Sequence, residues 1–454
     1  MSGHSHPVGE HPGTVKAAGW QPRALLASEV RFGTWIAFFA WVFAVYDFVL
    51  FGTLLPKLGA EFGWSAAHQA AIATWIATGT AVVALLIGPV VDKVGRRQGI
   101  MVTVGGAAIC SALTAVGGAA GSVVLVLIRS MSGLGYAEEA VNATYLTELY
   151  AATDDPRLAR RRGFIYSLVQ GGWPVGALLA AALTAILLPL IGWRGCFVFA
   201  AVPSLVIAFL ARKLRESPQF ELQREIGRLR KSRQENAGRA LAQRHAVDYE
   251  GHASAGFGAA FRGPALRATL TLGGGFLLNW STIQIFSVLG TTVITSVHHI
   301  SFNNSLLILI LSNLAGYCGY LTHGYFGDRI GRRNVIALGW VLGGIAFTAM
   351  LYGPDDIVFV VAFYSLGLFF LTGPYAALLF FMGESFPTEI RATGGAVIHC
   401  MGPVGAILAG SGATRFLATG AGWQSAAFWF GAVPCVMSGV LMLAARHVDP
   451  AEVK

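Results

Sequence analysis

Charge is what this chain has least of. Lys, Arg, Asp and Glu make up 12% of its 454 residues, about half the share in a soluble globular domain. So few charges exclude a large water-exposed surface. Cysteine is also sparse: Cys110, Cys196, Cys318, Cys400 and Cys435 lie singly in apolar stretches, with no C-x-x-C pair. That argues against a disulfide framework or a thiolate zinc site and leaves them as small buried hydrophobes. No G-x-x-x-x-G-K-(S/T) phosphate loop, H-E-x-x-H or G-x-S-x-G is present, so the sequence offers no motif-borne route to an enzyme, and neither metal nor cofactor is expected. The start, with His4, His6 and His11 among Pro and Gly, lacks the apolar core and cleavage site of a signal peptide and reads as an unstructured leader.

The basic excess, a formal net charge of +9, is not gathered into the patch or stripe that nucleic-acid binding needs. It falls in the gaps between apolar runs, where Lys and Arg mark cytoplasmic loops and anionic lipid surface. What fills the chain is apolar residue, 55% of it, in runs of the roughly 20 residues that cross a bilayer. Breakers divide these runs into spans near 32–56, 67–90, 98–119, 122–147, 163–190 and 194–212, then 267–293, 302–326, 335–352, 356–383, 391–419 and 424–445. Six spans, a polar pause and six more predict an all-α polytopic membrane protein with twelve transmembrane helices. Residues 1–31 would be a leader, 32–212 and 267–445 the two six-helix halves, 213–266 a linker whose part from Glu221 to Arg244 could form surface helices, and 446–454 a tail. With the N-terminus inside, 28 of the 32 Lys and Arg fall on one side, which predicts cytoplasmic termini.

The halves are copies. Gly88-Pro-Val-Val-Asp92-Lys93-Val-Gly95-Arg96-Arg97 returns as Gly324-Tyr-Phe-Gly-Asp328-Arg329-Ile-Gly331-Arg332-Arg333, and the offset of 236 also carries Glu148 onto Glu384. Parallel repeats about an axis normal to the membrane are a known transporter plan. The doubled G-x-x-x-D-(R/K)-x-G-R-(R/K) resembles the signature of the major facilitator superfamily, from about Trp35 to Arg446. The resemblance implies two pseudo-symmetric six-helix bundles around a central cavity, alternating access, and a plasma-membrane location, with the chain working as a monomer. It also implies a cytoplasmic gate in which Arg96 and Arg97 meet Glu148, and Arg332 and Arg333 meet Glu384, with Arg391 as a further partner. The bland alternative is that these arginines merely obey the positive-inside rule.

A finer pattern narrows the family. Tyr46-Asp47-Phe48 with Gly52, Arg129-x-x-x-Gly133-x-Gly135-x-x-x-Glu139, and Arg215-Glu216-Ser217-Pro218-Gln219-Phe220 look like the metabolite:proton symporters and the neighbouring sialate and aromatic-acid:proton symporters. The span 4 pattern there usually reads Gly-Gly-Glu-Trp, and Glu138-Glu139-Ala140 replaces its last three residues here.

Charges inside spans are expensive against lipid, about 2.5–3.5 kcal/mol each on insertion scales, and so belong to the bundle interior. Taking Pro56 as the outer end of span 1, Asp47 and Arg129 lie at one depth, roughly 10–14 Å in. The expected chemistry is competition for one guanidinium. Paired with Arg129, Asp47 is held ionised; a substrate carboxylate taking the planar fork leaves it to a proton. Glu139 would be a second proton site or relay, whereas Glu138, on nearly the opposite face from Arg129, packs against another helix. A static structural pair, or an Arg129 that snorkels to the headgroups, are the competing readings.

The offset sends Asp47 to Ile283 and Arg129 to Ser365, so proton handling is expected in the N-terminal half. Neutral substrate contacts are expected from Tyr46, Gln170, Trp173, Asn279, Gln284, Asn313, Tyr317 and Tyr375, for each of which interhelical packing is an equal reading. His399 reads as a buried neutral histidine. The partners expected are a small organic anion, protons and the bilayer. Rival functions are a proton-coupled exporter of the same fold and a membrane sensor that does not transport.

Overall fold

The computed structural model describes residues 21, 23, 25–117, 121–153, 165, 168–245, 247, 249, 257–386 and 391–446. Among them there is no strand. The helices are α1 Ala27–Phe62, α2 Ala66–Val94, α3 Arg96–Gly117, α4 Ser122–Met131, α5 Leu134–Ala151, α6 Gly172–Leu210, α7 Pro218–Lys231, α8 Glu235–Arg244 and α9 Gly263–Ala268. They continue with α10 Gly274–Thr282, α11 Gly290–Val297, α12 Phe302–Ile330, α13 Arg332–Tyr352, α14 Ile357–Thr372, α15 Tyr375–Ser385, α16 Arg391–Ala418, α17 Trp423–Ala427 and α18 Val433–Met442.

Nine stretches among the described residues are long and apolar enough to cross a bilayer, and Ala265–Val288 with Gly290–Val297 forms a further pair bent by 68°. One of the nine, Leu168–Lys213, runs 46 residues, roughly 70 Å at the helical rise, against a hydrocarbon core of about 30 Å. Gly192, at φ 66 and ψ 176, interrupts it. Leu85, Leu86, Val116, Val123, Leu190 and Val358 are exposed on helix surfaces, which a water-facing protein would not leave bare. The chain is a multi-pass membrane protein.

Polar residues start the helices where the sequence leaves the apolar runs. Ser65, Ser217, Ser301 and Asp356 accept the backbone N–H three residues on, at 3.2, 3.1, 3.3 and 2.9 Å, satisfying donors the first turn leaves open. The polar segment forms a small hairpin, α7 against α8, whose Leu222, Ile226 and Leu229 pack on Ala237, Leu241 and Ala242. Two interruptions matter more. α4 stops at Met131 and α5 begins at Leu134; at the break a Cβ on Gly133 would sit 2.6 Å from the Thr80 Cα, so α2 crosses where only glycine fits. The second interruption is the bend between α10 and α11, preceded by a wide helical turn over Ile283–Val288.

α1 departs from the expected span. It runs through Pro56 to Phe62, so Asp47 lies fifteen residues inside its end, roughly 22 Å, deeper than Pro56 as a terminus implied. Proline has no N–H to give, so the carbonyl of Gly52, four residues back, loses its helical partner. Thr291 of α11 supplies the substitute: its Oγ1 donates to the Gly52 and Thr53 oxygens, both at 3.0 Å. The approach needs Gly52 itself, because a Cβ there would fall 2.0 Å from the Val288 oxygen. α1 and α11 are thus joined at the end of the bundle away from the repeated motif loops.

Thr291→Val keeps the shape and removes the donor, leaving a buried carbonyl unsatisfied. We expect a loss of about 1–3 kcal/mol, seen as a lower unfolding midpoint in detergent. Adding Pro56→Ala returns a backbone N–H to Gly52 and should recover part of it; no recovery would mean the carbonyl is not the group Thr291 serves.

Candidate functional site

The end of α4 delivers Arg129 to the middle of α1. Its Nη1 donates to both Asp47 carboxylate oxygens at 3.0 and 3.3 Å, and its Nη2 to the Asp47 backbone oxygen at 2.9 Å. The two residues are 2% and 3% exposed. Phe51 and Phe197 hold the guanidinium, 5.7 and 5.3 Å from their ring centres, a placement worth more when dry. Its Nε, buried, has no hydrogen-bond partner. Arg129 therefore points inward and does not reach for headgroups.

Arg129 of the pair lines a cavity, here the outer one, with Phe48, Gly52, Thr80, Ser132, Gly133 and Gln284, on the side where α1 and α11 meet. A second cavity, the inner one, lies on the other side of Phe48, whose ring is 6.0 Å from Tyr136 and 6.1 Å from Trp173. Trp41, Trp173, Trp280, Tyr320 and Tyr375 form most of its wall, with Glu139, Gln170, Ile283 and Thr372. Trp173 and Trp280 meet edge to face at 5.7 Å, and Tyr136 meets Trp280 at 5.3 Å. The space within is small, about 20 Å³, room for roughly one water. Among the described residues lining it, Glu139 is the one that can carry a charge.

Other expected site residues divide. Gln170, Trp173 and Tyr375 line the inner cavity and Gln284 the outer. Asn279 is buried beside the inner one, its Oδ1 accepting the Tyr375 hydroxyl at 2.8 Å. Tyr46 is fully buried with an unpartnered hydroxyl. Asn313 donates back to the Leu309 oxygen of its own helix at 2.8 Å. Tyr317 packs near Gly171, and His399 lies edge-on to Phe276 at 5.5 Å. Ser365, the counterpart of Arg129, is 3.0 Å from Ser312.

At the motif end the two repeats give similar but unequal clusters. Gly95 and Gly331 turn the loops at φ 102 and 89. Arg96 donates to Glu148 at 3.2 Å, and Arg332 meets Glu384. Arg97 and Arg333 do not join those carboxylates in the hydrogen bonds seen: Arg97 offers its backbone N–H to Glu216 at 3.2 Å, and Arg333 bonds Asn334 and the Ala445 oxygen. Gly88 and Gly324 lie in the helices leading to the loops. The side chains of Asp92, Asp328 and Arg391 lie outside the described residues.

Sequence reasoning passed over Glu216 as a site residue. Its carboxylate accepts the N–H groups of Arg96 at 2.9 Å, Arg97 and Ser217 at 3.0 Å, closing the bare positive end of α3. Ser217 then donates to Glu148, which ties α5, α3 and α7 together. The signal available was Ser217-Pro218, a cap followed by proline, which fixes Glu216 just outside a helix. The aromatic lining had no such signal, because Trp41, Phe48, Tyr136 and Trp280 stand among many aromatics in apolar runs.

A family model described as the Major Facilitator Superfamily matches residues 36–323 and 272–454. A Haemophilus influenzae protein named for metabolite transport is 27% identical, covering 87% of this chain and 90% of its own length. The niacin transporter of Acinetobacter baylyi is 24% identical over 90% of this chain and 92% of its own. The gallate transporter of Pseudomonas putida is 25% identical over 82% of each.

Glu216→Gln leaves the shape and removes the charge facing the α3 terminus. A stability loss of about 1–2 kcal/mol is expected, measured as a lowered midpoint in detergent. A midpoint equal to wild type would show that the carboxylate does not hold this end.

Proposed function

The chain belongs to the major facilitator superfamily, and from that premise we propose that it is a proton-coupled symporter importing a small organic acid, one with an aromatic ring by preference, through alternating access. In this reading the ten crossings counted by length become twelve when Leu168–Lys213 is divided at Gly192 and α4 with α5 is taken as one interrupted span. They form two six-helix bundles, spanning 32–212 and 267–445, with the motif loops and both termini on the cytoplasmic side of the inner membrane. The chain acts as a monomer.

The observation that carries the proposal is the buried Asp47–Arg129 pair beside a cavity. An ion pair sealed from water is weak evidence of stability, and inside a membrane it is a functional hypothesis by default. The mechanism follows from the guanidinium's geometry. Arg129 gives Asp47 three bonds and keeps Nε unused. A substrate carboxylate that takes the planar fork displaces Asp47, and an acid stranded in a dry site takes a proton. Anion and proton then depend on each other for binding and cross together. The substrate's ring is received by the Trp173–Trp280 side of the inner cavity, and Phe48 must move for its carboxylate to reach Arg129. Glu139 serves as a relay between the inner cavity and the pair. Relatives named for niacin, gallate and benzoate support a ring bearing a carboxylate.

One observation favours a second reading. The inner cavity has aromatic walls and Glu139 but no Lys or Arg among its lining residues, which suits a cation. An exporter of aromatic or quaternary cations would use it directly.

Proteoliposomes with an inward proton gradient, offered benzoate-like acids, short mono- and dicarboxylates, sialic acid and quaternary amines, separate the two. Gradient-driven accumulation of aromatic acids is expected; accumulation indifferent to the gradient removes symport, and uptake of amines alone removes the anion. Asp47→Asn should abolish uphill accumulation while sparing exchange. Arg129→Lys keeps the charge and loses the fork, so apparent affinity for the acid should fall at least tenfold; unchanged affinity would place the carboxylate elsewhere.

A further inference from the structure

Glu138 has no place in the mechanism above, yet it is the most isolated carboxyl described. It is 0% exposed, on the face of α5 turned away from the inner cavity that Glu139 lines. Among the described residues, neither of its oxygens has a hydrogen-bond partner of good geometry. A buried carboxylate is a pure acceptor and needs donors or a cation around it; among the described residues Glu138 has no cation, and the polar side chain in reach of it is Asn142.

Among the described residues, the elements packed on α5 place no cation beside Glu138. On α1 the charged group within the bundle is Asp47, itself an acid and already engaged by Arg129. On α3 the cations stand at the terminal Arg96 and Arg97, beside Glu148 and Glu216, ten residues from Glu138 along α5 and so roughly 15 Å away. On α2 the basic residue at that end is Lys93, which is exposed. Ser217, leading into α7, serves Glu148. The titratable neighbour is Glu139, of the same sign.

The second observation is one helical turn along. Asn142 is buried, and its Nδ2 donates to the Ala37 oxygen of α1 at 2.7 Å. That bond fixes which way the amide faces, and its Oδ1 is left, buried, with no donor. Residues four apart on a helix are neighbours. Two orphaned acceptors side by side, the Glu138 carboxyl and the Asn142 carbonyl, lack one thing that would satisfy both, a hydrogen between them.

We propose that Glu138 is a proton-binding site separate from the Asp47–Arg129 pair: its carboxyl is held as the neutral acid, the O–H donating to Asn142 Oδ1. The proton links α5 through Asn142 to α1, the helix that carries Asp47. Its exchange is a plain transfer, acid to carboxylate plus one proton, with Glu139 as the neighbouring group open to the inner cavity. The claim concerns the protein without substrate and stands whether or not transport is driven by protons.

Infrared difference spectra of the reconstituted full-length protein test it. The wild type minus Glu138→Gln spectrum should contain the C=O stretch of a protonated carboxyl that moves on exchange into D2O. The band should persist in Asp47→Asn and Glu139→Gln, and Asn142→Leu should shift it to the frequency of an acid without a hydrogen-bond acceptor. Bands of an ionised carboxylate alone would overturn the proposal, as would an acid band lost with Asp47 or Glu139 instead. Where Glu138→Gln fails to fold, the Asn142→Leu shift decides: an unmoved acid band overturns the pairing.

Discussion

The hydrocarbon of a bilayer offers no water, so each charge in this chain's interior must be answered by the protein itself. Arg129 and Asp47 are where that constraint bears hardest. Their bond explains why α4 ends where it does, since the last turn must present a guanidinium to α1 and the break at Ser132–Gly133 lets the chain resume as α5 in a new register. It also explains the two phenylalanines. Phe51 and Phe197 cover the cation with ring faces, which exclude solvent without competing for its donors. A charge pair so enclosed is costly to create and costly to split.

The same constraint operates on the backbone. A transmembrane helix can be broken only if something else meets the freed groups. Pro56 breaks one bond of α1, and Thr291 meets the Gly52 carbonyl from the other half of the sequence. α1 and α11 are therefore joined by a neutral hydrogen bond between the two halves of the sequence. At the opposite end the closures are ionic: Arg96 on Glu148 and Arg332 on Glu384. One end is joined by a neutral close approach, the other by ion pairs that are largely out of water.

The architecture was legible where chemistry repeats at a fixed offset. The interval of 236 carries Asp92 to Asp328 and Glu148 to Glu384, and the partners Arg96 and Arg332 follow. The contact between Asp47 and Arg129 was legible for another reason: lone charges in apolar runs have few places to go. Its depth was misjudged because Pro56 reads as a terminus when Thr291, more than two hundred residues away, is unknown. Arg97, Arg333 and Asn313 were grouped by type, yet each makes bonds of its own that no local pattern encodes. The aromatic wall was hidden for a statistical reason. With 55% of the chain apolar, one tryptophan in a span carries almost no information until its neighbours are placed.

The asymmetry between the halves is the feature the repeat most sharply exposes. Where the N-terminal half has Asp47 and Arg129, the C-terminal half has Ile283 and Ser365, and Ser365 is occupied with Ser312. In exchange the C-terminal half bends: its first span kinks by 68° between α10 and α11, while α1 remains continuous. A straight helix holding a charge and a bent one holding neutral donors make different demands. The charged half must stay rigid, since moving a guanidinium by an ångström breaks a bond that only protein can replace. The neutral half can deform, since its hydroxyls and amides lose less when misaligned. Displacing a side chain is therefore cheaper in the C-terminal half, which holds no charge at the positions matching Asp47 and Arg129, and α11, whose Thr291 bonds α1, is the element that joins the two.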